Sequence, residues 1–273
     1  MVGAAGRSPA RSAAGTFRID LAYDGTDFHG WARQGELPTI QRTLEAALER
    51  ALRAPVRLAV AGRTDAGVHA VGQVASFVGA VDDLERLTRA VNGMVGPAIA
   101  VRSIRRAADD FHARFSATAR VYRYRIRTDR TPDPFGHRYA WWLPEDLSLV
   151  PMRRAAAALL GEHDFAAFCR RPPSGGTVRR LDRLAVVRTP EGFEVGARAN
   201  AFLHQMVRSL VRVLVEVGRG RIDAEEVGAI LAAGDRARTP GPAPAQGLTL
   251  ERVLYGRRRP PAAAPLTQAR SRR

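Results

Sequence analysis

The densest polar cluster in the 273-residue chain is Gly62-Arg63-Thr64-Asp65-Ala66-Gly67-Val68-His69-Ala70, set between two apolar, strand-like stretches. Glycines on both sides of an Arg-x-Asp triplet permit a tight backbone that presents a carboxylate close to a guanidinium. An adjacent arginine favours the ionised carboxylate, a group that can attack carbon or take a proton. The same pair also makes an ordinary salt bridge in a glycine-bounded turn, and the pair alone leaves both readings open. Other chemistries are excluded more sharply. All 43 lysine-plus-arginine positions are arginine, so no amine exists for a Schiff base, pyridoxal attachment or a P-loop lysine. The single cysteine, Cys169, rules out an intrachain disulfide and a Cys-rich zinc site, and it fits a reducing cytoplasm. His29, His69, His112, His137, His163 and His204 never recur at the three- or four-residue spacing that puts two on one metal. His163-Asp164 lacks the further ligands of a phosphohydrolase and reads as a turn. Gly-x-Ser-x-Gly, Gly-x-Gly-x-x-Gly and the deaminase His-x-Glu with Pro-Cys-x-x-Cys are all absent.

Apolar periodicity supplies the elements that hold this loop. Phe17, Ile19, Leu21 and Tyr23 alternate with Arg18, Asp20, Ala22 and Asp24 as in a half-buried strand, and Asp24-Gly25-Thr26 turns the chain. Thr39, after Pro38, opens a helix through about residue 53 whose stripe is Ile40, Leu44, Leu48 and Leu52. Strands are expected over 56–61 and 73–78, on either side of the polar loop, then a helix over 82–94 and a strand over 99–104. A second unit of similar grammar begins near residue 119. Its first strand, 121–128, carries Tyr122, Tyr124 and Ile126 on one face and Arg123, Arg125 and Arg127 on the other. Pro132, Pro134 and Gly136 break regular structure, a helix spans 152–160, and strands span 181–187 and 193–198. Asn200 is expected to cap a long helix carrying Leu203, Met206, Val207, Leu210, Val211, Leu214 and Val217. A short helix over 224–233, an Ala/Pro/Gly loop over 240–247 and a strand over 248–255 follow. The fold class is α+β: two related α/β halves, 16–115 and 116–256, joined into one mixed, largely antiparallel sheet flanked by helices.

Charge is spread unevenly. Of the net +16, eight arginines lie in the tails 1–15 and 257–273, which hold no acid, so residues 16–256 carry +8. Both tails are rich in Ala, Pro, Ser and Gly without apolar periodicity and read as disordered. The basic excess predicts an anionic partner, nucleic acid first. No run of about 18 apolar residues exists to span a membrane, and the N-terminal stretch lacks the apolar centre of a signal peptide.

The words around Asp65 narrow the choice. Gly62 to Ala70 followed by Gln73-Val74 resembles the signature of the TruA family of tRNA pseudouridine synthases. Tyr23-Asp24-Gly25-Thr26, Phe28, Gly30-Trp31 and Arg33-Gln34 resemble that family's opening strand and loop. Asp110 to Ala117, Tyr122-Arg123-Tyr124, Leu160-Gly161, His163-Asp164-Phe165, Asn200 to Leu203 with Met206-Val207-Arg208, and Ala243-Pro244-Ala245-x-Gly-Leu248 extend the likeness over about 16–255. Departures are few: Ala32 for the usual Gln, Ile40 for Val, and Ser209-Leu210-Val211-Arg212 where Asn-Ile-Val-Gly is common. Arg212 in place of that glycine raises a question of helix packing or RNA contact.

The resemblance implies isomerisation of uridine to pseudouridine at positions 38, 39 and 40 of the tRNA anticodon stem-loop, without metal, redox partner or nucleotide cofactor. It implies Asp65 as the essential carboxylate, whether it attacks C1′, adds to C6 or removes the C2′ proton. By the same match Tyr122 packs on the uracil, Arg63 enters the stem-loop to displace the base, Arg208 pairs with Asp65 and Leu248 lines the pocket. Arg33, Gln34, His69 and Arg114 are expected RNA contacts. A cytoplasmic homodimer in which one tRNA touches both subunits is expected too. A silent RNA-binding protein of the same fold, or a synthase acting on another RNA, are the competing readings.

Overall fold

The computed structural model describes residues 13–170 and 175–256, and its strands follow the two-residue alternation of the sequence. The expected disorder of 257–273 and of nearly all of 1–15 lies outside the described residues. In chain order the elements are β1 (Gly15–Tyr23), α1 (Ile40–Leu52), β2 (Ala59–Val60), β3 (His69–Gly79), α2 (Leu84–Val95), β4 (Ile99–Arg106), β5 (Ala117–Arg127), β6 (Trp141–Trp142), α3 (Leu149–Ala158), β7 (Gly161–Asp164), β8 (Val178–Thr189), β9 (Gly192–Ala199), α4 (Met206–Gly218), α5 (Glu226–Ala233) and β10 (Leu248–Tyr255). They form one sheet in the order β4-β1-β3-β10-β5-β9-β8-β7, with β2 on β3 and β6 on β5. Only the β10/β3 and β5/β6 pairs are parallel. The last strand thus stands at the centre, joining β3 of the first half to β5 of the second.

Register separates the two faces. Tyr122, Tyr124 and Ile126 pair across to Ala197, Val195 and Phe193 on β9, and Leu248 and Leu250 pair with Tyr124 and Tyr122, so all point to the buried side. Arg123, Arg125 and Arg127 stand on the other side and pair with Glu251, Glu194, Asp129 and Asp133. Helix α1 packs with α2, and α3 packs with α4 and β8. Thr39 caps α1 from an extended conformation, its side chain accepting from the Arg42 N–H, which frees Ile40, Leu44 and Leu48 to bury. Asp83 does the same for α2 through Arg86.

Several expectations need correction. Asn200 caps no helix: α4 starts at Met206 behind Gln205, and the Asn200 side chain accepts from the Arg180 and Ala201 N–H groups instead. The strand expected over 56–61 shrinks to two residues, because Glu49 and Glu45 of α1 take the N–H groups of Val56 and Leu58 that a strand partner would use. Helix α3 begins before Pro151, since first-turn N–H groups have no intrahelical acceptor to lose. Strand β3 starts four residues early because β10 pairs with it at His69. Arg212, the departure inside α4, lies 5.4 Å over the Trp141 ring with its Nε 2.9 Å from Glu216, so the extra side chain serves packing.

Candidate active site

The Asp65 loop is held from beneath by the ends of two strands. Gln73 of β3 donates to Tyr23 of β1 at 3.1 Å and to the Gly62 carbonyl at 2.8 Å, which leaves the Tyr23 proton for Thr64 Oγ1 at 2.8 Å. Burial pushes Tyr23 up to about 12, so it stays a phenol. From the side, the Trp31 N–H donates to the Thr64 carbonyl at 3.0 Å. That approach needs Gly30, which has φ +83°, and a Cβ there would lie 2.7 Å from the Thr64 oxygen. The chain then turns over Gly67, φ +74°, with the Val68 N–H donating to the Asp65 carbonyl at 3.2 Å.

The carboxylate of Asp65 meets two groups from the start of α4. Arg208 Nη1 lies 2.9 Å from Oδ2, and His204 Nε2 lies 3.4 Å from Oδ1. Arg208 is itself fixed, its Nε donating to the Ala243 carbonyl at 2.7 Å while the Ala243 N–H returns a bond to its backbone oxygen at 3.1 Å. Its side chain is 14% exposed and that of Asp65 20%, so the pair is largely shielded from solvent. Tyr122 borders it: a Cβ on Gly62 would be 3.7 Å from the Tyr122 hydroxyl, and Phe202 packs edge-on to the ring at 5.2 Å. Burial, then the neighbouring Tyr23 and Asp65, push the Tyr122 hydroxyl above its usual range against the pull of Arg120. It therefore stays a protonated phenol at neutral pH. Leu248 is buried and pairs with Tyr124, one step along β10 from the Leu250–Tyr122 pair.

Arg120 ties the parts together. This buried guanidinium donates to the Ala61 carbonyl just before the loop, the Asn200 carbonyl just before Phe202, and the Arg114 carbonyl. Carbonyl dipoles, not an acid, satisfy it.

Of the residues singled out from sequence, Asp65, Arg208, Tyr122 and Leu248 converge here. Arg63 does not pair with Asp65 despite its place in the triplet. It is exposed, with no polar partner among the described residues. Arg33 and Gln34 are exposed on the loop after Trp31, Arg33 reaching Glu45 at 3.3 Å and Gln34 the His29 carbonyl at 2.9 Å. Arg114 is exposed, its guanidinium 5.6 Å from the Phe115 ring centre. His69 lies elsewhere: it is 3% exposed, Nδ1 accepts from the Gly25 N–H at 3.1 Å, and Nε2 donates to the Arg138 carbonyl at 2.9 Å. Burial holds it below its usual value, so it is neutral with both nitrogens spent. That fits a brace of the loop rather than an RNA contact. Sequence reasoning passed over Arg120, Gln73 and His204. Gln73 left a signal as part of the quoted motif, and His204 in its four-residue spacing to Arg208.

A carboxylate fixed by a half-buried arginine beside a buried tyrosine, at the end of a mixed sheet, has the make-up of an enzyme site. The family model for tRNA pseudouridine synthase matches residues 21–116 and 155–256, and the chain belongs to that family. It is 49% identical over 249 residues to tRNA pseudouridine synthase A of Frankia casuarinae, covering 87% of this chain and 88% of that one. It is 45% identical over 260 residues to the protein of that name from Corynebacterium glutamicum (87% and 88% covered). The corresponding Moorella thermoacetica protein is 43% identical over 245 residues (87% and 98% covered).

Proposed function

We propose that this protein isomerises uridine to pseudouridine at positions 38, 39 and 40 of the tRNA anticodon stem-loop. The observation that carries the reading is the Asp65 carboxylate held at 2.9 Å by Arg208 beside Tyr122. In the reaction the N1–C1′ bond breaks, a C5–C1′ bond forms, a proton leaves C5 and one arrives at N1. Asp65 acts as the nucleophile, with Arg208 fixing one oxygen and leaving the other for the substrate. Flipping a stacked base costs a few kcal/mol, and stacking it on an aromatic returns roughly 1 to 3 kcal/mol. Tyr122 supplies that ring, and its hydroxyl, a phenol here, serves proton transfer at the base. Arg63 enters the space the base leaves, Leu248 lines the uracil, and Arg33, Gln34 and Arg114 meet the RNA backbone. The protein works as a cytoplasmic homodimer that shares one tRNA between subunits, and it needs no cofactor.

Tritium release from tRNA labelled at uracil C5 tests the core of this. Asp65→Asn keeps the shape and loses the nucleophile, so it should bind tRNA and release no tritium. Wild-type turnover in that variant would overturn the assignment. Mapping pseudouridine in total RNA with and without the protein fixes the target: loss at positions 38 to 40 supports the reading, and loss at other sites redirects it to another RNA.

A further inference from the structure

The two oxygens of Asp65 are treated differently. Oδ2 faces Arg208, a side chain immobilised by the Ala243 carbonyl at 2.7 Å. Oδ1, the oxygen left for chemistry, faces His204 at 3.4 Å, and the imidazole is 48% exposed. That is the one polar contact of the ring among the described residues. The backbone presents it deliberately. The His204 carbonyl accepts from the Arg170 N–H at 3.1 Å, and the next residue, Gln205, takes φ +63°, a left-handed conformation that a non-glycine residue adopts at a cost. This bend swings residue 204 off the axis of α4 while Arg208 stays on its first turn, so both reach one carboxylate from two sides.

We propose that His204 is a positioning residue that sets the rotation of the Asp65 carboxylate and so aims Oδ1 at the sugar or base. The single Arg208 bond to Oδ2 sets the carboxylate only within the angular tolerance of that bond, so Oδ1 can still swing. A second polar group against Oδ1 narrows that swing, and a misaim of about 1 Å costs about 100-fold in rate. A contact of 3.4 Å to an exposed ring is looser than the Arg208 bond, so its share is smaller. The assignment rests on the reading of Asp65 as the nucleophile.

His204→Ala and His204→Gln decide it in single-turnover tritium release with tRNA affinity measured in parallel. The surface position makes both variants folded. His204→Ala should slow the chemical step about 10- to 30-fold with the tRNA Kd unchanged within about twofold. In His204→Gln the amide nitrogen takes the place of Nε2 and should restore most of the rate. A weakened Kd with an unchanged rate would make His204 an RNA contact and overturn the proposal. Equal losses in both variants would overturn it too, since the ring rather than its donor would then matter. The ring contact is also read without turnover, from 15N spectra of the histidine side chains, with the His204 signal identified by its absence in His204→Gln. Asp65→Asn should move that signal, and an unmoved one sinks the contact itself. A wild-type protein that forms no pseudouridine in tRNA would instead defeat the functional reading, with the spectrum still judging the contact.

Discussion

Beneath Asp65 four polar side chains are each claimed by another part of the protein. Gln73 serves Tyr23 and Gly62, Tyr23 pairs with Thr64, Arg120 serves four carbonyls, and Arg208 divides itself between Asp65 and Ala243. The rim is built on other terms: among the described residues Arg63 has no polar partner, Arg33 and Arg114 are exposed on loops, and the His204 ring makes one loose polar contact. A floor satisfied in the free protein does not have to reorganise when substrate arrives, which is the condition for electrostatic stabilisation of a transition state. Exposed rim cations exchange solvent or weak surface contacts for phosphates when RNA docks, so their energy appears as affinity and falls with salt. Floor and rim should therefore fail differently.

The sharpest break of the floor is Arg208→Leu, which frees the Asp65 carboxylate and opens the tie to Ala243. Misplacement and the loss of a charge partner together should slow tritium release about 1,000-fold at saturating tRNA, with Kd little changed. A Kd that weakened as much as the rate fell would move Arg208 to the rim. Next comes Tyr122→Phe, which keeps the stacking ring and removes one hydroxyl. The rate should drop about 100-fold, the lower end for a group assisting a single proton transfer. An unchanged rate would take the hydroxyl out of the mechanism and leave Tyr122 as a platform.

These two residues also mark what the sequence could and could not tell. The period-two pattern placed Tyr122 on the buried face of β5, and the motif likeness picked out Asp65 and Arg208 across 143 residues of chain. Neither could show that β10 returns to the centre of the sheet, because a parallel pairing of Thr249 with His69 leaves no trace in local periodicity. That one pairing turns His69 from a rim candidate into a buried brace. Arg120 was hidden for a related reason: its acceptors are backbone carbonyls, which have no residue identity to read. Asn200 was misjudged because a capping residue before an apolar run is a local rule, and here Arg180 of β8 competes for its side chain.

Arg63 sharpens the comparison from the rim. If it fills the space left by the flipped base, Arg63→Ala should lower turnover about tenfold on a tRNA whose target uridine is paired in the stem. On a tRNA with that pair mismatched the defect should shrink, because a mismatched base costs less to unstack. Raising salt should narrow the gap in affinity between variant and wild type, as for any phosphate contact. A defect of equal size on paired and mismatched targets would make Arg63 a plain phosphate contact.

The smallest effect belongs to the brace under the floor. Burial lowers the His69 value in the folded protein below the ordinary 6.5, so as pH falls the unfolded chain takes up the proton first. Stability from the neutral ring is complete above about pH 6.5, declines as pH drops beneath it, and is fully lost once the folded-state ring protonates. Two contacts of Nδ1 oppose each other: the bare nitrogen accepts from the Gly25 N–H, while a proton there would lose that bond and face Asp24 Oδ1 at 3.1 Å, which offsets part but not all of the cost of burying the charge. Between pH 7 and pH 5 the wild-type Tm should therefore fall through this group. His69→Gln, which carries no titrating ring, should start lower at pH 7 and fall less. Parallel curves for the two proteins would show that acid reaches the floor by another route, and that the loop beside Asp65 does not depend on the charge state of His69.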